Sequence, residues 1–283
     1  MTFDIPLPRP SGPARRLVAV AAIVLVVALS GCATSAPTLN REQVAALVAD
    51  PERSDADRLN DQRRKPQEML LFIGVKPGMQ ALDVSAGGGY TTELLARAAG
   101  PSGRVYGQTP VRRTTPSSAQ PEGGAAPPLP GAGSPRPPSG GLAGRAERLR
   151  TGHIVAVVQP FEQPVPPEVA PGSLDLVTLM FNYHDLGHLG ADRAQLNSAV
   201  FAALKPGGVY VLADHAGRPG TGISESGTLH RIEESFLRAE VEQAGFRFAE
   251  EGFFLRNPND PRDRNTPEPP QPKDDFVLKF VKP

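Results

Sequence analysis

The chain has 283 residues, 39% hydrophobic and 21% charged, which is enough apolar material for one well-filled core. Its 30 basic and 30 acidic residues cancel, leaving no net field to attract nucleic acid and no acidic excess of the kind that marks a solvating tail. With Cys32 as the only cysteine, an internal disulfide and a cysteine metal cluster are both excluded.

Arg9, Arg15 and Arg16 precede an uncharged apolar run from Leu17 to Leu29, and Ser30-Gly31-Cys32 follows. This is the pattern of a secretory signal peptide over residues 1–31. The run of 13 residues is short of the ~20 that a helix needs to span the hydrocarbon core, so a removable signal is expected instead of a permanent span. Leu29-Ser30-Gly31-Cys32 resembles the lipobox of bacterial lipoproteins, which implies lipidation of Cys32, a tether over 32–40, and a lipoprotein anchored to a membrane on the periplasmic side. Ala33 supplies no aspartate after the cysteine, which tilts the expectation to the outer membrane.

Helices are expected over Gln43 to Ala49 and Asp55 to Phe72, the second broken or kinked at Pro66. A turn at Val75 to Met79 leads into the apolar strand Ala81 to Val84. Tyr90 to Ala99 reads as a helix, Val105 to Gly107, Ile154 to Val158 and Leu174 to Phe181 as strands, and Arg193 to Leu204 as a helix. The strand Val209 to Ala213, the helix Leu229 to Ala244, and the strands Phe246 to Leu255 and Phe276 to Val281 complete the chain. Seven strands alternating mostly with helices predict an α/β fold: a Rossmann-like, seven-stranded mixed sheet with helices on both faces and a C-terminal antiparallel hairpin. One domain over 41–283 is expected, with a connection Asn257 to Lys273 that is long for a hairpin. Within that domain, residues 109–141 hold nine prolines and six glycines and too few large aliphatic residues to offset their ordering entropy, so a disordered surface insertion is expected.

Asp83-Val84-Ser85-Ala86-Gly87-Gly88-Gly89-Tyr90 joins a strand to a helix start. Glycines there let backbone approach a ligand closely, and free amides at the helix start favour an anionic group. This segment resembles the first motif of the class I S-adenosylmethionine-dependent methyltransferases, in Asp83, Gly87 and Gly89, with Ser85 at the place of the usual first glycine. Leu204-Lys205-Pro206-Gly207-Gly208-Val209 resembles the turn before the fifth strand in the same family. Asn182-Tyr183-His184-Asp185-Leu186, Ala213-Asp214-His215-Ala216 and Phe254-Leu255-Arg256-Asn257-Pro258 resemble a bacterial group described as predicted methyltransferases.

The resemblance implies S-adenosylmethionine as cofactor and methyl transfer to a small-molecule acceptor. Asp83 would orient the ammonium of the methionyl part, and Ser85, Gly87, Gly88, Gly89 and Tyr90 would hold its carboxylate. Gln108 stands where the family has a ribose-binding acid, and an amide there gives no charge-assisted bond. Strand ends in such a sheet converge on one cleft, which adds Gln159, Phe161 and Asn182 to the cofactor set. His184 is the expected general base, with Asp185 orienting it and Tyr183 or His215 positioning the acceptor. The alternative is a non-catalytic binding or structural lipoprotein that keeps the fold, motivated by Ser85 and Gln108. His184 and His188 also stand four apart as a metal pair without an evident third ligand, and Arg58, Arg63, Arg64 and Arg231 read as a solvated face.

Overall fold

The structure is a computed structural model that describes residues 1–3, 37–111, 141–149, 153–267 and 269–283. The expected signal peptide beyond residue 3, Cys32 and insertion residues 112–140 lie outside the described residues. The chain divides into two units, Met1–Ser35 and Ala36–Pro283, and the second carries every helix and strand among the described residues. No helix among them is long and apolar enough to cross a membrane.

The elements run α1 (Arg41–Val48), α2 (Asp55–Arg64), α3 (Pro66–Ile73), β1 (Gln80–Val84), α4 (Tyr90–Ala99), β2 (Arg104–Thr109), α5 (Gly141–Leu149), β3 (Ile154–Val158) and β4 (Leu174–Met180). They continue with α6 (Asp185–His188), α7 (Arg193–Ala203), β5 (Leu204–His215), α8 (Glu234–Gln243), β6 (Arg247–Gly252) and β7 (Asp275–Val281). The strands form one seven-stranded sheet in the order β3-β2-β1-β4-β5-β7-β6. β1 to β5 are parallel, and β7 runs antiparallel to both β5 and β6. The switch in strand order falls between β1 and β4, so a ligand crevice is expected beyond Val84 and Met180.

Alternation along the strands separates two cores. Leu82, Val84, Val177, Leu179, Tyr210 and Leu212 point to one face, where Leu196 and Val200 of α7 and Leu237 and Val241 of α8 cover them. Ala81, Val105, Leu176, Val211 and Ala213 point to the other, under Val44 of α1, Leu70 of α3, Leu94 of α4 and Leu142 of α5. Period-two side-chain direction thus buries both faces, which is why the strands read as nearly continuous apolar runs. Leu237 and Val241 are fully buried, and each such side chain contributes roughly 1.5–3 kcal/mol.

The expected helix 55–72 is two helices. Lys65 takes a left-handed conformation (φ 45°) between them, and Pro66, which has no N–H to donate, opens α3. The expected helix Leu229 to Ala244 begins only at Glu234. Leu229 closes a turn, its N–H bonding the Glu225 carbonyl, His230 is left-handed (φ 51°), and residues 231–233 cross the sheet end with Ile232 N–H bonding the His215 carbonyl. Arg231 holds this crossing: it is fully buried, paired with Asp260 and bonded to the Ala216 and Arg264 carbonyls. Arg231 is therefore a buried tie and not part of a solvated face. The expected insertion boundaries also shift, since Thr109 closes β2 and Gly141 opens α5, a helix the sequence reading left unassigned.

Candidate active site

The bend after β1 lies at the carboxyl edge, and its own sequence sets its shape. Ser85 (φ 58°), Gly87 (φ 54°) and Gly89 (φ 84°) alternate in left-handed conformation, so Ser85 performs a turn that glycine makes at lower cost. The two glycines differ in purpose. A Cβ on Gly89 would lie 2.6 Å from Leu142 Cδ1, and one on Gly107 in β2 2.4 Å from Leu142 Cδ2, so α5 packs into the space these residues leave. A Cβ on Gly87 meets nothing within 4 Å. Gly87 is the exposed point of the bend.

Three of the bend's amides are occupied by the protein. Ser85 N–H donates to Gln108 Oε1 at 2.8 Å, Ala86 N–H to the Gln108 carbonyl at 2.8 Å, and Gly89 N–H to the Ala86 carbonyl at 2.8 Å. The Gln108 side chain is fully buried, and its Nε2 donates to the Gln159 carbonyl at 2.6 Å. It therefore ties β1 to the end of β3, and both ends of its amide are used by the protein. Among the described residues, the N–H groups of Gly87 and Gly88 have no acceptor. No side chain caps α4, so the positive end of its dipole points at the same place.

Asp83 is enclosed. Its two oxygens accept from the Thr92 and Thr178 hydroxyls at 2.6 and 2.8 Å, and burial pushes its carboxyl up to about 6 against those hydrogen bonds. Asp83 thereby ties β1 to α4 and β4. Tyr90 likewise turns away from the bend, donating to Asp61 of α2 at 2.7 Å. Arg145 of α5 binds the Gly88 carbonyl at 2.7 Å through Nε and pairs with Asp57 and Glu93, all three side chains buried. With Arg97, which pairs with the other oxygen of Glu93 at 2.9 Å, these charges fix α2, α4 and α5 around the bend.

At the ends of β4 and β5 a second group forms. Phe181 leaves β4 left-handed (φ 61°), which carries the chain over to His184. His184 Nδ1 lies 2.6 Å from Asp214 Oδ1, His184 N–H donates to Asp214 Oδ2 at 2.7 Å, and Nε2 lies 3.0 Å from Asp185 Oδ1. Burial opposes the charged ring, but the charge of Asp214 and the hydrogen bonds to Asp185 and Asp214 outweigh it and push His184 up to about 9. So shifted, the ring favours its charged form at neutral pH and donates to both carboxylates. Asn182 Nδ2 donates to Asp185 at 2.8 Å and thus belongs to this group instead of the cofactor set. Tyr183 is fully buried, with its hydroxyl between Glu240 and Asn197. Phe161 is half-buried and packs on the core.

His215 does face a cleft. The cleft, of about 990 Å³, is lined by Arg63, Lys65, Asn257, Gln271, Lys273 and Asp275 among others, so the long connection between β6 and β7 forms one wall. His215 Nδ1 lies 2.6 Å from Asp275 Oδ1. Burial, with the charge of Lys273, holds His215 well below its ordinary value and neutral, while burial pushes Asp275 up to about 7 against the pull of Arg64 and Lys273. Arg64 stacks 3.6 Å over the Phe181 ring between the two groups. Arg63 lines this cleft, Arg64 lies on Phe181, and Arg58 donates to the Asp50 carbonyl.

No protein-family model matches the chain, and no curated protein does. Among solved structures it is similar to a SAM-dependent methyltransferase from Aquifex aeolicus, at 15% identity over 86% of this chain and 98% of that one, with a TM-score of 0.51. It is also similar to the structure of the complex between the Haloferax volcanii Trm112 methyltransferase activator and a methyltransferase, at 17% identity over 85% of this chain and 98% of that one, with a TM-score of 0.50. At such identities the likeness is one of fold. The chain has the Rossmann-like, mixed seven-stranded fold of S-adenosylmethionine-dependent methyltransferases.

Proposed function

We propose that this chain binds S-adenosylmethionine beyond the carboxyl ends of β1 and β4 and promotes methyl transfer to a small-molecule acceptor. One observation carries the reading: at the crevice of a doubly wound sheet, the free amides of Gly87 and Gly88 meet the uncapped start of α4 at a point with open space above it. Those donors suit a carboxylate. When bound, S-adenosylmethionine supplies an electrophilic methyl group on a sulfonium.

The chain's residues provide placement and a proton route. The cleft beside His215 holds the acceptor, with Asn257, Gln271 and Lys273 as polar walls. The His215–Asp275 couple holds one proton that is exchangeable near neutrality, which is the range in which acid–base assistance works best. The base role passes to this couple. Residues 1–31 act as a signal peptide and Cys32 carries the lipid that holds the domain at the periplasmic side of the envelope, a reading supported by the n-region, the apolar run and the lipobox-like cysteine.

The test is release of S-adenosylhomocysteine when the chain is incubated with S-adenosylmethionine and a panel of small phenols, thiols and amines. Turnover with at least one class, with an ionisation near neutrality that Asp275→Asn abolishes, supports the reading. Binding of the donor without turnover on the whole panel favours the second reading, a non-catalytic lipoprotein, for which the enclosed Asp83 and Gln108 speak. Mass spectrometry of the membrane-bound protein tests the anchor: a diacylated peptide starting at Cys32 is expected, and an unmodified Cys32 contradicts it.

A further inference from the structure

Four of the chain's five histidines gather at the carboxyl ends of β4 and β5. The rings of His184 and His215 lie 5.4 Å apart, and those of His184 and His230 and of His188 and His230 5.6 Å apart. Three of these histidines surround a single carboxylate oxygen. Asp185 Oδ1 lies 3.0 Å from His184 Nε2, 3.0 Å from His230 Nδ1 and 3.8 Å from His188 Nδ1. The ligand atoms of His184, Asp185 and His230 fall within 4.8 Å of one another.

We infer that His184, Asp185 and His230 form a binding site for a divalent first-row transition cation of the zinc type. Two imidazoles and one carboxylate are the donors such a cation takes when it keeps a further position open. At metal–ligand distances of about 2.0–2.2 Å, donors around a tetrahedral ion sit about 3.3 Å apart, so a small rotation of the half-buried His230 closes the set.

The surrounding residues are arranged as an outer layer. Asp214 accepts from His184 Nδ1 at 2.6 Å, which fixes the ring and directs Nε2 to the cluster, the carboxylate–histidine–metal pattern. Asn182 holds the other oxygen of Asp185 at 2.8 Å. Ser226 accepts from the His188 amide at 2.9 Å and donates to the His184 carbonyl, so the 217–232 segment is fastened to the ligands from β4. Gly187 makes that approach feasible, because a Cβ there would lie 2.5 Å from Ile223 and 2.8 Å from Ser226 Oγ. His188, with its side chain 35% exposed, and His230, at 39%, leave a path from solvent. The site does not depend on the methyl-transfer reading, since no donor or acceptor enters the argument.

The test uses the full chain, stripped with a chelator and titrated with Co²⁺ while visible absorption is followed, then with Zn²⁺ in competition. One Co²⁺ per chain is expected, with the absorption of a low-coordinate site that Zn²⁺ abolishes. His230→Ala is expected to weaken binding at least about tenfold, because losing a ligand costs no less than losing an outer-layer partner. The thermal midpoint of His230→Ala in chelator is expected to match that of the parent, which separates ligand loss from unfolding. His153→Ala, a change at the one histidine outside the group, is expected to leave binding unchanged. Absence of Co²⁺ uptake, or equal uptake by parent and His230→Ala, overturns the inference, as does loss of binding in His153→Ala.

Discussion

Gln108 Oε1 lies 2.8 Å from the amide nitrogen of Ser85, so the residue that stands at the place of a ribose-binding acid instead holds the bend after β1 in shape. A substitution toward the family pattern therefore has an unfavourable outcome. In Gln108→Glu the side chain still accepts from Ser85, but it faces the Gln159 carbonyl without a proton to donate, in a fully buried place. A loss of about 1–3 kcal/mol is expected in urea unfolding, without tighter binding of S-adenosylhomocysteine. A variant of parental stability that binds more tightly would show that residue 108 reaches the ligand.

Gly87 and Gly89 separate ligand access from packing. Gly89→Ala adds a Cβ 2.6 Å from Leu142 and 3.0 Å from Arg145 to the strain of a left-handed alanine, for an expected cost of about 2–5 kcal/mol. Gly87→Ala carries the strain alone, about 1–2 kcal/mol, because nothing lies within 4 Å. The lesser destabilisation should come with the greater loss of S-adenosylhomocysteine affinity per folded molecule, tenfold or more. Unfolding curves and calorimetry on the two variants decide this.

Arg145 bridges Asp57 and Glu93 and also binds the Gly88 carbonyl, while Arg97 pairs with the other oxygen of Glu93 at 2.9 Å. Arg145→Met keeps the length of the side chain and leaves two buried carboxylates facing each other. A cost of about 3–5 kcal/mol is expected in denaturant unfolding. Less than 1 kcal/mol would mean that water reaches the network.

Asp83 gives a pH dependence of known sign. Its carboxyl holds a proton up to about 6 in the folded chain and only to its ordinary value, near 4, when unfolded. Between these values the folded state binds the extra proton, so this group's contribution falls as pH rises from about 4 to 6, by about 3 kcal/mol in total. The stability of the parent relative to Asp83→Asn should decline by that order across the window and stay level above it. A level difference throughout would place Asp83 in a more solvated setting.

The sheet and most of its helices were legible in the sequence because burial on both faces writes continuous apolar strands and a helical period between them. Leu82 and Ala81 serve opposite cores, and both had to be apolar. What stayed hidden was pairing between distant parts of the chain. Helix α5 contributes Leu142 and Arg145 to the interior, and a buried arginine reads as a surface residue unless Asp57 and Glu93 are seen beside it. The five residues before Glu234 continue a helical pattern, yet Arg231 and Asp260, 29 positions apart, draw the last of them into a crossing that delivers His230 to Asp185. Asp185 is a legible partner of His184 because it is next in sequence, but the second partner of His184, Asp214, and the partner of His215, Asp275, each lie one strand away.

We propose that the bend at residues 85–89 receives the amino-acid end of an adenosyl sulfonium. Isothermal calorimetry of the chain with S-adenosylhomocysteine tests it most directly. One ligand per chain with micromolar affinity, weakened in Gly87→Ala, is the expected result. No heat up to millimolar ligand from the folded chain would contradict it.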